Sequence, residues 1–218
     1  MKKRNNNKIE KKNFRVTIFG SSRIKKNDKI YKQVKVLAKM LAEEGIGIIT
    51  GGGPGIMMAA NEGHHIGEKI SGINSDSIGL LIVLPKKQKT NKFVEIKKKF
   101  KRFSNRLDNF MKLSNVFVVA PGGIGTTLEF FYTLQLIQVK QTCDVPIILL
   151  GEMWTDLVKW LERWPLKYKR IDKEDLNSIF LAKNPNEAMK MIKQAHKEYK
   201  KGTKNYCLNY RKYKLYSN

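Results

Sequence analysis

Glu129 is placed where a side chain could do chemistry. It closes the run Pro121-Gly122-Gly123-Ile124-Gly125-Thr126-Thr127-Leu128-Glu129, which follows the apolar stretch Asn115-Val116-Phe117-Val118-Val119-Ala120 and leads into a helical-looking segment reaching Ile137. A buried strand, a glycine turn and a helix start together make an anion site. The glycines let the backbone approach a ligand, and the first N–H groups of the helix point at whatever sits there. Thr126 adds a hydroxyl for a phosphate oxygen. Glu129 falls about one turn into the helix, on the rim of that site. A carboxylate there can stabilise developing positive charge or orient a water. The plainer alternative is a tight turn whose Glu129 is a solvated first-turn acid favoured by the helix dipole.

A second glycine turn lies upstream. The short strand Gly47-Ile48-Ile49-Thr50 runs into Gly51-Gly52-Gly53-Pro54-Gly55 and then a helical Ile56-Met57-Met58-Ala59-Ala60-Asn61. In an open parallel sheet, ligands bind beyond the carboxyl ends of the strands. Two glycine turns at that edge predict one nucleotide-sized site between them. The common nucleotide fingerprints do not fit. Gly-x-Gly-x-x-Gly started at Gly51 meets Ile56 at its third glycine, and started at Gly123 it meets Leu128. The first strand ends in Gly20-Ser21-Ser22-Arg23, and no Gly-x-x-x-x-Gly-Lys-Ser/Thr loop occurs. Dinucleotide and P-loop enzymes of the standard types are disfavoured.

These turns need elements to hold them. Arg15 to Gly20 reads as a first strand. Asp28 to Glu44 reads as an amphipathic helix, with Ile30, Val34, Leu37, Ala38 and Leu41 at helical spacing and Gly45 as its stop. A second strand and a helix to about His65 follow, then a third strand from Ser77 to Pro85 and a loop from Lys86 to Asn91. Glu95 to Lys112 reads as a helix entering the fourth strand, residues 115–120. The helix after Gly125 runs to about Lys140, Val145 to Gly151 is a fifth strand, and Met153 to Trp160 a further helix. Beyond Arg170, residues 173–179 and 185–200 read as helical. The alternation predicts an α/β fold, a Rossmann-like doubly wound parallel sheet flanked by helices in a single domain. The expected limits are a disordered basic arm at 1–13, a nucleotide-binding catalytic domain at 14–170, and a helical, basic C-terminal extension at 171–218.

At 218 residues the chain is long enough for one such domain. No apolar run approaches the roughly 18 residues of a membrane helix. The polar, Lys-rich start does not read as a secretory signal. Cys143 and Cys207 have no metal-ligand spacing and read as free thiols in a reducing cytosol. The formal net charge is +24, from 43 basic residues, of which 35 are Lys and 8 Arg. Such charge can attract nucleic acid, but Arg is scarce where fork-like phosphate grips would need it, so solvated Lys on helix faces is the favoured reading. Tyr206, Tyr210, Tyr213 and Tyr216 in the basic tail could stack on single strands, or pack on the chain's own sheet. His64 and His65, next to the helix that follows the Gly51–Gly55 turn, could contact a ligand, but a pair of histidines at a helix end is more often structural.

Three motifs taken together, Phe19-Gly20-Ser21-Ser22-Arg23, Gly51-Gly52-Gly53-Pro54-Gly55-Ile56-Met57 and Pro121 to Glu129, resemble the LOG ("lonely guy") family over roughly residues 14 to 165. Those proteins are cytokinin riboside 5′-monophosphate phosphoribohydrolases, and many relatives carry a lysine decarboxylase label. The resemblance implies a Rossmann-like homodimer or assembly of dimers that releases free base and ribose 5-phosphate from a nucleoside 5′-monophosphate, with no metal or other cofactor. By position it implies Arg106 and Glu129 as catalytic residues and Gly122, Gly123, Gly125 and Thr126 as the phosphate turn. Gly20, Ser21, Gly52 and Gly53 would line the nucleotide site. Breaking an N-glycosidic bond passes through an oxocarbenium-like ribose, which suits a nearby carboxylate. An arginine can hold phosphate or departing base and keep Glu129 ionised. Nothing local separates Arg106 from Arg102, four residues earlier on the same helical face. Leu107 stands where many relatives have Lys, and Leu128 where many have an acid. A nucleotide-like cofactor carrier and a basic nucleic-acid-binding protein remain as alternatives. No pyridoxal-phosphate lysine site supports a decarboxylase.

Overall fold

The computed structural model describes residues 13–83, 85 and 89–202. The arm expected at 1–13 therefore lies outside them save for Asn13, as do Cys207 and the Tyr-rich tail. The described chain forms seven strands: β1 (Arg15–Phe19), β2 (Gly47–Thr50), β3 (Ser77–Ile82), β4 (Ile96–Phe100), β5 (Val116–Val119), β6 (Ile147–Leu150) and β7 (Ile179–Ala182). All pair in parallel in one sheet of order β4-β3-β2-β1-β5-β6-β7. Six α-helices flank it: α1 (Lys29–Glu43), α2 (Ile56–Ser71), α3 (Phe103–Leu113), α4 (Ile124–Gln138), α5 (Met153–Leu161) and α6 (Pro185–Lys200). This is the Rossmann-like doubly wound fold expected.

The winding reverses between β1 and β5. From β1 the chain steps outward to β4, then returns to lay β5 on the other side of β1, with Thr17 opposite Phe117 and Phe19 opposite Val119. Loops leaving two adjacent strands in opposite directions open a crevice, which is where ligands bind in such sheets. The central strands are apolar on both faces, as a sheet covered by helices requires: β1, β2, β5 and β6 are buried throughout. On the helices, buried Tyr31, Val34, Leu37, Ala38 and Leu41 make the inner stripe of α1, and Trp154 of α5 is 1% exposed.

Two segments differ from the expectation. The helix predicted over 95–112 is instead β4 followed by α3. Lys97, Lys98 and Lys99 gave β4 the look of a helix surface. They lie exposed on an edge strand, where lysines discourage pairing with other chains. The segment read as helical at 173–179 is a 3₁₀ turn, Lys173–Leu176, followed by β7. Ile179-Phe180-Leu181-Ala182 is a short apolar run, for which periodicity cannot separate strand from helix. β7 completes the sheet beside β6, and α6 packs against β7 and α1. At the amino edge of the sheet, buried Arg15 anchors the start of β1: its Nε and Nη2 donate to Asp76 Oδ2 at 2.8 and 2.6 Å.

Candidate functional site

Three turns meet at the carboxyl edge of the sheet. The Ser21 N–H donates to Pro121 O at 3.1 Å, and the Ile56 N–H to Ser21 O at 3.0 Å. These bonds tie the turns after β1, β2 and β5 into one rim. Beneath it lies a cavity of about 530 Å³, lined by residues 20–23, Gly51, Met57, Ile82, Phe103, Arg106, residues 123–126 and Glu129. That volume lies within the usual range for a small-molecule site.

Arg106 comes into the cavity from α3. Its side chain is 8% exposed, Nε donates to Leu80 O at 2.7 Å, and its guanidinium lies between the rings of Phe103 and Phe110, at 5.7 and 5.1 Å from their centroids. A Cβ at position 51 would fall on Arg106 Nη2 and at 2.7 Å from Met57 Sδ, so only glycine leaves the arginine its place. Arg102, the alternative on the same helix, is the exposed N-cap of α3. Burial lowers the affinity of Arg106 for its proton, and Glu129 opposes that shift.

Glu129 reaches the same cavity from α4. Its Oε1 stands 3.7 Å from Arg106 Nη1, with the carboxylate side chain 12% exposed. Burial raises its pKa to about 7, and Arg106 pulls it down by less than burial pushes it up. Arg106 favours the ionised carboxylate as expected, but desolvation outweighs the ion pair. A carboxyl poised near neutrality is suited to taking up and giving back a proton. Next to the pair, Tyr132 donates to Asp108 Oδ1 at 2.5 Å and links α4 to α3. That bond fixes the two helices one turn from Glu129 and two residues from Arg106.

The turn before α4 has the make-up of an anion site. The first N–H groups of α4 have no acceptor within the helix, and its first turn carries no acidic residue. Gly123 and Gly125 line the cavity, and a Cβ on either would meet nothing within 4 Å. The space beside them is open to a ligand. Thr126 also lines the cavity. Gly122 lies behind it, outside the lining, where a Cβ would strike the Thr126 hydroxyl. Gly20 and Ser21 are in the wall. Gly52 and Gly53 are not: the Gly52 N–H donates to Thr50 Oγ1 at 3.0 Å and the Gly53 N–H faces Met57 Sδ at 3.4 Å. Their carbonyls accept from Asn91, whose amide also reaches Asn61. These two glycines shape the turn and leave Gly51 to face the cavity.

The sequence motifs include Gly51 and Met57 without giving either a contact of its own, and nothing local marks Phe103 or Tyr132. A glycine directly after a strand was the available signal for Gly51. Leu107 is buried in the inner face of α3, and Leu128 is 46% exposed. His64 is fully buried, with Nε2 2.9 Å from Ser75 Oγ and 3.2 Å from Ile46 O. Neither histidine lines the cavity. The one cluster with metal-ligand character among the described residues is His65, Glu68 and Glu95, whose ligand atoms lie within 4.8 Å of one another, also off the cavity wall.

The sequence profile described as "Possible lysine decarboxylase" matches residues 57–192, more than half of the chain, and takes in nearly all of α2, Arg106, the turn before α4 and Glu129. The chain belongs to that family. The LOG resemblance drawn from the glycine motifs stands with it. Solved structures share the fold. The molybdenum cofactor binding protein of Rippkaea orientalis is 20% identical, with a TM-score of 0.61, over 83% of this chain and 96% of that one. The molybdenum cofactor carrier protein of Chlamydomonas reinhardtii is 21% identical, with a TM-score of 0.58, over 84% and 99%. A structural-genomics target is 23% identical, with a TM-score of 0.62, over 83% and 99%. No curated protein matches in sequence. No helix among the described residues is long and apolar enough to cross a membrane.

Proposed function

We propose that this protein hydrolyses the N-glycosidic bond of a nucleoside 5′-monophosphate, AMP or an N6-modified AMP, to free base and ribose 5-phosphate. The observation that carries the reading is Glu129, a largely buried carboxyl with its pKa near 7, facing Arg106 across a nucleotide-sized cavity. The N-terminus of α4 and Thr126 hold the 5′-phosphate. Ionised Glu129 faces the ribose, where it stabilises the oxocarbenium-like centre and orients the attacking water. Water adds at C1′ as the C1′–N bond breaks; its hydroxyl stays on the ribose and its proton leaves with the base. Arg106 steadies the phosphate or the departing base. The protein works as a homodimer in the cytoplasm.

The molybdenum cofactor proteins of the same fold support a second reading, in which the cavity carries a nucleotide-like cofactor and Glu129 is idle. The placement of Glu129 opposite Arg106 in the cavity wall, beside the open turn before α4, supports the enzyme over the carrier. The test is chromatography of products from a panel of nucleoside 5′-monophosphates, N6-prenylated AMP included. Equimolar base and ribose 5-phosphate support hydrolysis, and the preferred base names the substrate. Tight binding of a nucleotide that is recovered intact supports the carrier.

A further inference from the structure

The outer face of α5 and the turn after it carry rings that the fold leaves in solvent. Trp160, Trp164 and Tyr168 are 48%, 46% and 54% exposed. They recur every fourth residue. In an α-helix that spacing drifts by about 40° per step. Here the helix opens into a π-helical turn at Glu162–Leu166, whose wider winding takes back part of that drift. Trp164 and Tyr168 come into register, their ring centroids 5.9 Å apart and their planes 11° from parallel. Such π turns recur at functional sites.

Cations accompany the rings. The Arg163 guanidinium lies 5.4 Å from the Trp164 ring and the Lys167 ammonium 5.8 Å from the Tyr168 ring. From residue 159 to 170 the chain carries five Lys or Arg against the single acid Glu162. Two of the 8 arginines in the chain, Arg163 and Arg170, fall in this short segment.

We propose that this stripe docks single-stranded nucleic acid, with bases stacked on Trp164 and Tyr168 and phosphates on Arg163 and Lys167. Aromatic faces interleaved with cations are how single strands are held without sequence readout. Bases in a duplex are stacked on each other and could not reach the rings. A second copy is a poor occupant: a two-fold contact through this patch would set its five cations and single acid against the same set in a chain of net charge +24. A membrane-surface helix keeps its cations on the face away from its rings; here they lie over the rings themselves. None of these residues lines the cavity, so the proposal stands apart from the hydrolase reading.

The test is fluorescence anisotropy of a labelled oligothymidylate of about a dozen nucleotides, titrated with the full chain at several salt concentrations. Trp164→Ala/Tyr168→Ala, which leaves the charge untouched, is expected to weaken binding about tenfold or more. Trp164→Phe/Tyr168→Phe keeps two flat rings and is expected to retain most of the affinity. Arg163→Ala/Lys167→Ala is expected to flatten the slope of log K against log salt by about 1.4, two phosphates at about 0.7 each. Circular dichroism confirms that each variant is folded. Unchanged affinity in the ring-deleted variant would overturn the proposal, because binding would then belong to scattered lysines. So would loss of anionic-vesicle binding or of self-association in that variant with oligonucleotide binding intact.

Discussion

Arg106 and Glu129 face each other at 3.7 Å, close enough to pair electrostatically and too far for a hydrogen bond. Arg106 spends its Nε on Leu80 O and its ring contacts on Phe103 and Phe110, so it is held by α3 and β3 without help from the carboxylate. Glu129 is left in a largely dry wall with one incomplete partner. The proposed hydrolysis places its substrate between this pair and the turn before α4.

The pH dependence follows from that arrangement. In the proposed hydrolysis Glu129 works as a carboxylate, so kcat/KM for nucleotide hydrolysis should rise with pH through about 7 and then level. Because Arg106 lowers this pKa, Arg106→Ala should move the rising limb to higher pH while reducing its height. Stability carries the opposite sign. A carboxyl whose folded pKa is raised favours the native state fully below its ordinary value of 4.5, and that contribution is lost as pH rises through about 7. Melting temperatures of Glu129→Gln relative to wild type should therefore improve between pH 5 and pH 8.

Gly51→Ala tests the seat of the arginine. The added methyl would collide with Arg106 Nη2 and Met57 Sδ, and the guanidinium must turn away from Glu129. Activity should fall about 100-fold, the order expected when one positioned group is misplaced. The urea midpoint should report a cost of about 1–3 kcal/mol, typical of local overpacking. Steady-state kinetics and urea unfolding on the same preparation separate the two effects.

Gly125→Ala should part stability from binding in the other direction. The position is the second residue of α4, with open space where the methyl would go. Replacing a helical glycine by alanine should stabilise the fold by about 0.5–1 kcal/mol. If the phosphate lies against this turn, the same methyl intrudes on it, and KM should rise several-fold with kcat little changed. A higher melting temperature with unchanged KM would move the phosphate elsewhere.

Asp76→Ala probes the sheet and not the site. Arg15 is 1% exposed, and Asp76 accepts from both its Nε and its Nη2. Removing the acid strands a buried cation, for which about 3–5 kcal/mol of stability should be lost. Chemical denaturation of the purified variant measures it, and kcat at a temperature where the variant is folded should be unchanged.

The sequence announced the site more clearly than some of its supports. Glu129 was legible because strand, glycine turn and helix start are local patterns written in consecutive residues. The central strands and α1 were legible for the same reason. β4 was not, since Lys97, Lys98 and Lys99 sit on an edge strand with little burial to pattern them. β7 was not, since four apolar residues fit helix or strand. Arg106 could be told from Arg102 only by resemblance; what separates them is burial between two phenylalanines, a tertiary fact. The same holds for the Glu129 pKa, which depends on how much water the closed rim excludes. Gly52 and Gly53 looked like ligand contacts, but Thr50 and Met57 already occupy their N–H groups.

The central claim is most directly tested by incubating AMP and N6-prenylated AMP with wild type and Glu129→Gln and measuring free base over time. The account predicts release by wild type from at least one of them, and a loss of about 100-fold or more in the variant, with nucleotide binding by calorimetry retained. Absence of base release by a wild-type protein that binds these nucleotides, or equal release by the variant, would contradict it.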